Sequence, residues 1–137
     1  RKIPHLTSAF INLLEPDSST PIHYGETNAI YRCHIGLIVP AGVERCALEV
    51  NGERRGWREG EGFAFEDAYE HFAWNGSGAD RVVLIFDVLK PAFRSRALEV
   101  CSDVLGAMTL RMLETKFPLL RRLGTSGRRA LHHLLAR

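Results

Sequence analysis

The sequence predicts a mainly β protein, a barrel or a sandwich, with a helical extension at its C-terminal end. Over the first ninety residues, short apolar runs alternate with turn-forming residues every eight to fifteen positions, which is typical of all-β domains. After Lys90-Pro91 the apolar residues recur at three- and four-residue spacings, as they do along a helix. A chain of 137 residues, 45% of them apolar, is long enough for one domain with its own core.

Six apolar runs in the first part of the chain are predicted strands. Asn51-Gly52, which separates Leu48-Glu49-Val50 from Glu53-Arg54-Arg55, predicts a two-residue hairpin of type I′, because both central positions of that turn need a positive φ. Turn-forming residues also follow most of the other runs. The predicted strands cover residues 9–14, 29–39, 46–50, 62–65, 72–74 and 82–88.

The C-terminal part reads as two helices. An apolar pattern from Leu98 to Leu113 predicts the first helix, which Pro118 breaks. A glycine-containing stretch, residues 124–127, separates it from a short basic helix over residues 128–137. We therefore predict a β domain, residues 1–91, followed by an amphipathic helical extension, residues 92–137, that packs on or beside the barrel.

Composition narrows the classes of protein. The chain has no run of about 18 to 20 apolar residues and no leader-like opening, so we expect a cytoplasmic protein. Cys33, Cys46 and Cys101 match neither a zinc cassette nor a disulfide framework, and we expect reduced thiols. Residues 1–110 hold eleven basic and fifteen acidic side chains, whereas residues 111–137 hold seven and one. An acidic body without a basic stripe argues against nucleic acid as a partner.

Two histidines next to predicted strands are candidate metal ligands. His23 precedes the strand at 29–39, and His71 precedes the strand at 72–74, so the two imidazoles could share one metal. Neutral imidazole suits iron, zinc, copper or nickel, and oxygenase iron usually takes two histidines and one carboxylate. Gly25 occupies the position where such a carboxylate would follow His23. Water or a halide would then complete the coordination.

Three further residues predict a site for a dicarboxylate. Arg81 begins the strand at 82–88, and its planar guanidinium suits a carboxylate such as the far end of 2-oxoglutarate. Arg32 and His34 are two positions apart on one predicted strand, so their side chains lie on one face and could hold another part of the same ligand.

Each of these residues also fits a purely structural role. His23 and His71 could be ordinary turn or core histidines, and Arg81 could form an ion pair. Trp57 and Trp74 are assigned to the core. The acidic partners considered for Arg81 are Glu70 and Asp80.

From residue 10 to residue 91, the sequence resembles the aspartyl/asparaginyl β-hydroxylase family of iron(II)- and 2-oxoglutarate-dependent oxygenases. Five motifs in order carry the resemblance, and it implies a double-stranded β-helix, a jelly-roll or cupin-like barrel with the metal at its mouth. The motifs are Pro21-Ile22-His23-Tyr24-Gly25-Glu26-Thr27-Asn28, Arg32-Cys33-His34-Ile35-Gly36-Leu37-Ile38-Val39-Pro40, Trp57-Arg58-Glu59-Gly60, Phe65-Glu66-Asp67-Ala68-Tyr69-Glu70-His71 and the run from Arg81 to Asp87-Val88.

The resemblance also implies roles for individual residues. It implies that His23 and His71 bind iron, with Gly25 in place of the acid, and that Arg81 pairs with the distal carboxylate of 2-oxoglutarate. Arg32 and His34 would hold the cosubstrate from the neighbouring strand.

Two departures from the family pattern concern the site. Asn12 stands where family members typically place a Ser near the cosubstrate, and Asn can still form a hydrogen bond there. Ile30 stands where members that hydroxylate Asp or Asn in protein domains carry an Arg. The change at Ile30 weakens the case for an acidic substrate.

We therefore expect a dioxygenase that uses Fe(II), 2-oxoglutarate and O₂ to hydroxylate an amino acid, a peptide or a lipid-linked small substrate, with succinate and CO₂ as coproducts. One alternative is a non-catalytic, cupin-like module that binds a metal or ligand. A minor alternative is a halogenase that uses the open coordination position beside Gly25.

The basic tail leaves open whether the protein contacts a membrane. Residues 111–137 could lie on an anionic membrane, but the sequence favours a helix that packs on the sheet and keeps its basic face in water. The tail could also mediate a dimer, and the sequence leaves the oligomeric state open.

Overall fold

The computed structural model describes residues 3–136, which form eight strands, two α-helices and two short 3₁₀ turns. The strands make two four-stranded antiparallel sheets, ordered β1-β8-β3-β6 and β2-β7-β4-β5. The elements are β1 (Leu6–Leu14), β2 (Ser18–Ser19), β3 (Ile30–Ile38), β4 (Cys46–Val50), β5 (Glu53–Gly56), β6 (Gly62–Phe65), β7 (His71–Asn75), β8 (Arg81–Leu89), α1 (Ala97–Lys116) and α2 (Thr125–Leu135), with 3₁₀ turns at Pro91–Arg96 and Pro118–Arg122.

The core of the β unit draws on both sheets. Side chains along β8 alternate between buried and half-buried positions, because successive residues of a strand point to opposite faces. This alternation directs Arg81 and Asp87 inward together with the apolar residues of the strand. The buried apolar cluster comprises Cys46, Leu48, Trp57, Ala73, Val83 and Ile85.

The predicted hairpin at Asn51-Gly52 is confirmed. β4 and β5 pair antiparallel, with Val50 opposite Glu53, and both turn residues have positive φ, 49° and 82°. A type I′ turn needs this backbone conformation at both positions.

The structure differs from the sequence prediction at β1, β2 and α2. Strand β1 begins at Leu6 rather than at residue 9. Ser18–Ser19, which lies in none of the predicted strands, forms the short strand β2 and pairs with the end of β7. Two polar residues carry no strand pattern of their own, so only their partner reveals the strand. Helix α2 begins at Thr125 rather than at residue 128, because Gly124 has the extended conformation that precedes the helix and Gly127 lies within its first turn. Residue 137 lies outside the described residues.

The chain forms two compact units, Arg1–Pro91 and Ala92–Arg137. In the second unit, α1 and α2 form an antiparallel pair. His132 Nε2 donates to the carbonyl of Asp103 (3.1 Å), and the guanidinium of Arg128 lies 2.8 Å from the carboxylate of Glu114. The packing of the extension on the barrel stays a prediction.

Candidate active site

A short antiparallel bridge brings the two predicted metal ligands together. The amide of His23 donates to the carbonyl of His71 (3.1 Å), and the amide of His71 donates to the carbonyl of His23 (2.9 Å). The imidazole rings lie side by side, with their centroids 4.2 Å apart. Residues 48 positions apart in the sequence therefore present their rings at one place.

Backbone carbonyls set the tautomer of both rings. His23 Nδ1 donates to the carbonyl of Pro21 and His71 Nδ1 donates to the carbonyl of Tyr69, each over 2.7 Å. A neutral imidazole that donates from Nδ1 has its lone pair on Nε2, and this second hydrogen bond is typical of metal-bound histidine. Burial lowers the pKa of His71 and so favours the neutral form that binds metals. The pair fits a divalent metal.

Asp67 supplies a carboxylate where the histidine motif lacks one. A Cβ built on Gly25 would overlap the Asp67 carboxyl group, so only glycine leaves room for this acid. Asp67 is 2% exposed, and its Oδ1 atom lies 3.5 Å from His71 Nε2. Burial raises the pKa of Asp67, which opposes its ionisation. Asp67, four residues before His71, is a site residue that the sequence prediction missed.

Among the described residues, no group of three or more His, Cys, Asp and Glu side chains has the arrangement of a metal site. The two-histidine site expected from the sequence stays a prediction.

Arg32 is neutralised by two acids. Its Nε and Nη2 atoms donate to the Asp87 carboxylate (2.9 and 3.0 Å), and its Nη1 atom lies 2.6 Å from Asp67 Oδ1. Ser8 also donates to Asp87. Arg32 thereby links Asp67 to Asp87 on β8. The contact of Arg32 with the cosubstrate stays a prediction.

Arg81 has no acidic partner among the described residues. It is 1% exposed, and Nη1 donates to Asn12 Oδ1 (2.8 Å), while Nε has no hydrogen-bond partner within residues 3–136. The guanidinium carbon lies 4.7 Å from the centre of the Trp57 ring. Burial lowers the pKa of Arg81, since a charge out of water is disfavoured. The ion pair with Glu70 or Asp80 that sequence left open is absent.

His34 contributes a second buried donor without a partner. Trp57 Nε1 donates to His34 Nδ1 (3.3 Å), so the neutral ring carries its proton on Nε2, and this atom has no hydrogen-bond partner in the described part of the chain. Burial, together with Arg32 and Arg81, lowers the pKa of His34 to about 3. His34 is therefore a neutral donor at any ordinary pH.

Trp57 links these two donors, because it contacts both the His34 ring and the Arg81 guanidinium. Its assignment to the core alone was incomplete. Nothing in the sequence distinguishes Trp57 from a packing residue, since its partners come from other strands. The unmet donors of Arg81 and His34 fit an anionic ligand, because buried polar groups without partners are costly.

Comparison with known proteins now bears on this geometry. The family model for aspartyl/asparaginyl β-hydroxylase matches residues 2–91. The chain belongs to this family of hydroxylases. The matched segment contains every site residue described above, and it confirms the resemblance found in the sequence.

Relatives within this hydroxylase family differ in their named substrates. The chain is 44% identical over 91 residues to an ornithine lipid ester-linked acyl 2-hydroxylase from Rhizobium tropici, covering 66% of this chain and 32% of that protein. It is 41% identical over 87 residues to human aspartate beta-hydroxylase domain-containing protein 2, and 32% identical over 80 residues to human aspartyl/asparaginyl beta-hydroxylase. These matches cover 61% and 58% of this chain, but only 23% and 10% of the human proteins. The chain spans about a third or less of each relative.

Solved structures confirm the predicted cupin-like fold of this hydroxylase family member. The cupin domain of Schizosaccharomyces pombe Cnp3 matches with a TM-score of 0.52 and 10% identity, covering 70% of this chain and 64% of that one. The cupin domain of an XRE family transcriptional regulator from Enterobacter cloacae matches with a TM-score of 0.50 and 15% identity, covering 60% and 80%. At such identities, the likeness concerns the fold alone.

Proposed function

We propose that this chain is the catalytic barrel of an iron(II)- and 2-oxoglutarate-dependent dioxygenase that hydroxylates its substrate. The observation that carries the proposal is the pairing of two sites in one barrel. His23 and His71 present adjacent Nε2 lone pairs, and the buried guanidinium of Arg81 lacks an acidic partner. The first site suits iron(II), and the second suits a carboxylate.

Each residue has a defined task in this proposal. His23 and His71 hold the iron, while the carbonyls of Pro21 and Tyr69 keep both rings in the metal-binding tautomer. When bound, iron(II), 2-oxoglutarate and O₂ supply the oxidation, and succinate and CO₂ are the coproducts.

The cosubstrate is held by groups that already lie in position. Arg81, oriented by Asn12, binds the distal carboxylate of 2-oxoglutarate, and His34 donates from Nε2 to a second oxygen of the same molecule. Because the surrounding side chains are buried, these charge-assisted hydrogen bonds form out of water and are correspondingly strong. Such fixed donors orient the cosubstrate toward the metal.

Asp67 favours hydroxylation over halogenation. A halide that took the position beside Gly25 would meet the carboxylate that fills this space. Its neighbour Arg32 is already shared with Asp87, so the surplus of positive charge that would attract a halide is lacking. The hydroxylase reaction is therefore the better fit.

For the substrate, we propose a lipid-linked molecule first and an amino acid or peptide second. The Rhizobium relative is named for the acyl chain of ornithine lipid, and its identity to this chain, at 44%, exceeds the 32% of the human aspartyl/asparaginyl enzyme. Ile30 is buried and apolar, so this position provides no cation for an acidic substrate.

An anaerobic titration tests the proposal. Iron(II) and 2-oxoglutarate are added to the protein while the visible charge-transfer band of a chelated complex is followed, and air is then admitted and succinate assayed. We expect a band that needs both additions and that fades in air as succinate forms. His71→Ala should abolish both signals, whereas His133→Ala, an exposed histidine of α2, should change neither. A folded protein with neither band nor succinate would contradict the proposal and leave a non-catalytic binding module.

A further inference from the structure

The segment between the two helices exposes apolar and basic side chains together. We call residues 116–123, which contain the 3₁₀ turn Pro118–Arg122, the tip, because they connect the antiparallel helices α1 and α2 at one end of the helical unit. In the tip, Phe117 is 53% exposed, Leu119 is 72% exposed and Leu123 is 38% exposed. Clustered exposed apolar side chains, unlike single ones, are typical of surfaces that contact another molecule.

The charges of the tip have a single sign. Lys116, Arg121 and Arg122 are exposed, and none of them forms an ion pair within residues 3–136. The nearest acid along the chain, Glu114, is taken by Arg128, and no acidic residue occurs from 115 to 137. The tip therefore presents cations and exposed apolar groups without local neutralisation.

We propose that the tip docks on an anionic lipid bilayer surface. Apolar side chains of the tip would enter the boundary between headgroups and acyl chains, while the cations meet lipid phosphates, which is how peripheral segments of this composition bind membranes. A nucleic acid would satisfy the cations but not Phe117 and Leu119. Neither α1 nor α2, the helices of the described chain, is long and apolar enough to cross a membrane.

The sequence favoured a C-terminal helix that keeps its basic face in water, whereas the proposed docking places the cations of the tip against a membrane. The sequence pattern could not show that Phe117 and Leu119 are exposed beside the cations. The inference stands on the tip alone and does not depend on turnover, so it is tested with the full chain in the absence of iron and 2-oxoglutarate.

Vesicle sedimentation gives the first test. We expect the protein to bind vesicles of phosphatidylcholine containing 30% phosphatidylglycerol, to bind pure phosphatidylcholine vesicles much less, and to be released by salt. The double variant Arg121→Gln/Arg122→Gln should bind the anionic vesicles about 30-fold more weakly, because each cation at such a surface contributes about fivefold. The matched control is Arg54→Gln/Arg55→Gln, which removes two exposed cations of β5 and should bind as the unmodified protein does.

A fluorescent variant gives a second test that needs no loss of binding. The emission of Leu119→Trp should shift to the blue and be quenched by brominated lipids when anionic vesicles are added. Leu134→Trp, at an exposed position near the other end of the helical unit, should not respond. Absence of binding to anionic vesicles, or equal binding by the tip variant and the unmodified chain, would overturn the proposal. Self-association through the tip without vesicle binding would assign this surface to a second copy and also overturn it.

Discussion

Arg32 and Arg81 lie on neighbouring strands of one sheet, yet their surroundings differ completely. Arg32 on β3 is held by Asp67 and Asp87, whereas the guanidinium of Arg81 on β8 contacts the neutral side chains of Asn12 and Trp57 and forms no ion pair within residues 3–136. An arginine between two acids stabilises the barrel and positions a carboxylate. A buried arginine without an acidic partner suits the binding of an anionic ligand. The two regions show that partners, and not residue type, decide what an arginine does.

The largest expected effect is a loss of stability when Arg32, which is neutralised by two acids, is replaced. Arg32→Ala should lower the free energy of unfolding by about 3 to 5 kcal/mol, because it leaves Asp67 and Asp87 buried without their cation. Chemical denaturation monitored by circular dichroism measures this change. Arg54→Ala removes an exposed ion pair with Glu49 and should cost less than about 1 kcal/mol. Equal losses for the two variants would remove the distinction drawn here.

For Arg81, we expect a large effect on cosubstrate binding and a small effect on stability. Arg81→Ala should raise the concentration of 2-oxoglutarate needed for half-maximal binding about 300-fold, as two charge-assisted hydrogen bonds are lost. The stability of this variant without the cosubstrate should change little, since Arg81 pairs with no carboxylate among the described residues. Calorimetric titration with 2-oxoglutarate, with iron(II) present and oxygen absent, measures the affinity. An unchanged affinity would show that the anion binds elsewhere.

His34 should make the stability of the barrel depend on pH. Its imidazole protonates near pH 6.5 in the unfolded chain and near pH 3 in the folded barrel, so the unfolded state holds the extra proton between these values. Acid therefore destabilises the barrel, and His34 should account for about 2 kcal/mol of this loss at pH 5. The measurement is the difference in pH dependence of unfolding between the unmodified chain and His34→Gln. Parallel curves for the two proteins would show that His34 does not titrate as proposed.

The smallest expected effect tests Trp57. Trp57→Phe keeps an aromatic ring against Arg81 but removes the donor that sets the His34 tautomer. We expect the KM for 2-oxoglutarate to rise about five- to tenfold, while the stability falls by only about 1 kcal/mol. The control is Trp74→Phe, because the Trp74 ring donates no hydrogen bond within residues 3–136. A selective loss of stability in Trp57→Phe, with KM unchanged, would reduce Trp57 to a packing residue.

Much of the β unit follows from local sequence. The hairpin at Asn51-Gly52 was predictable because few residues accept positive φ at two successive positions. Arg32 and His34 share a face because side chains alternate along any strand. β2 could not be found in this way, since its two serines become a strand only through pairing with β7.

The site was predictable in part for similar reasons. His23, His71 and Arg81 stand out by residue type and by position near strand ends, and the structure brings the two histidines together. Asp67 was noted only as part of a motif, because its importance comes from the space that Gly25 leaves 42 residues earlier. That Arg81 has no acidic partner within residues 3–136 also depends on which strands become neighbours.

By itself, the sequence determined the mainly β character of the first unit, the helical character of the second, and the residue types able to bind a metal and a dicarboxylate. These properties are local, since they arise from turn conformations, from the alternation along strands and from side-chain chemistry. Tertiary structure alone decided that Asp67 sits beside the histidines, that Arg32 is neutralised while Arg81 is not, and that Phe117 and Leu119 remain exposed. Charge compensation and burial depend on distances between residues far apart in the chain, and only the folded arrangement of strands and helices sets those distances.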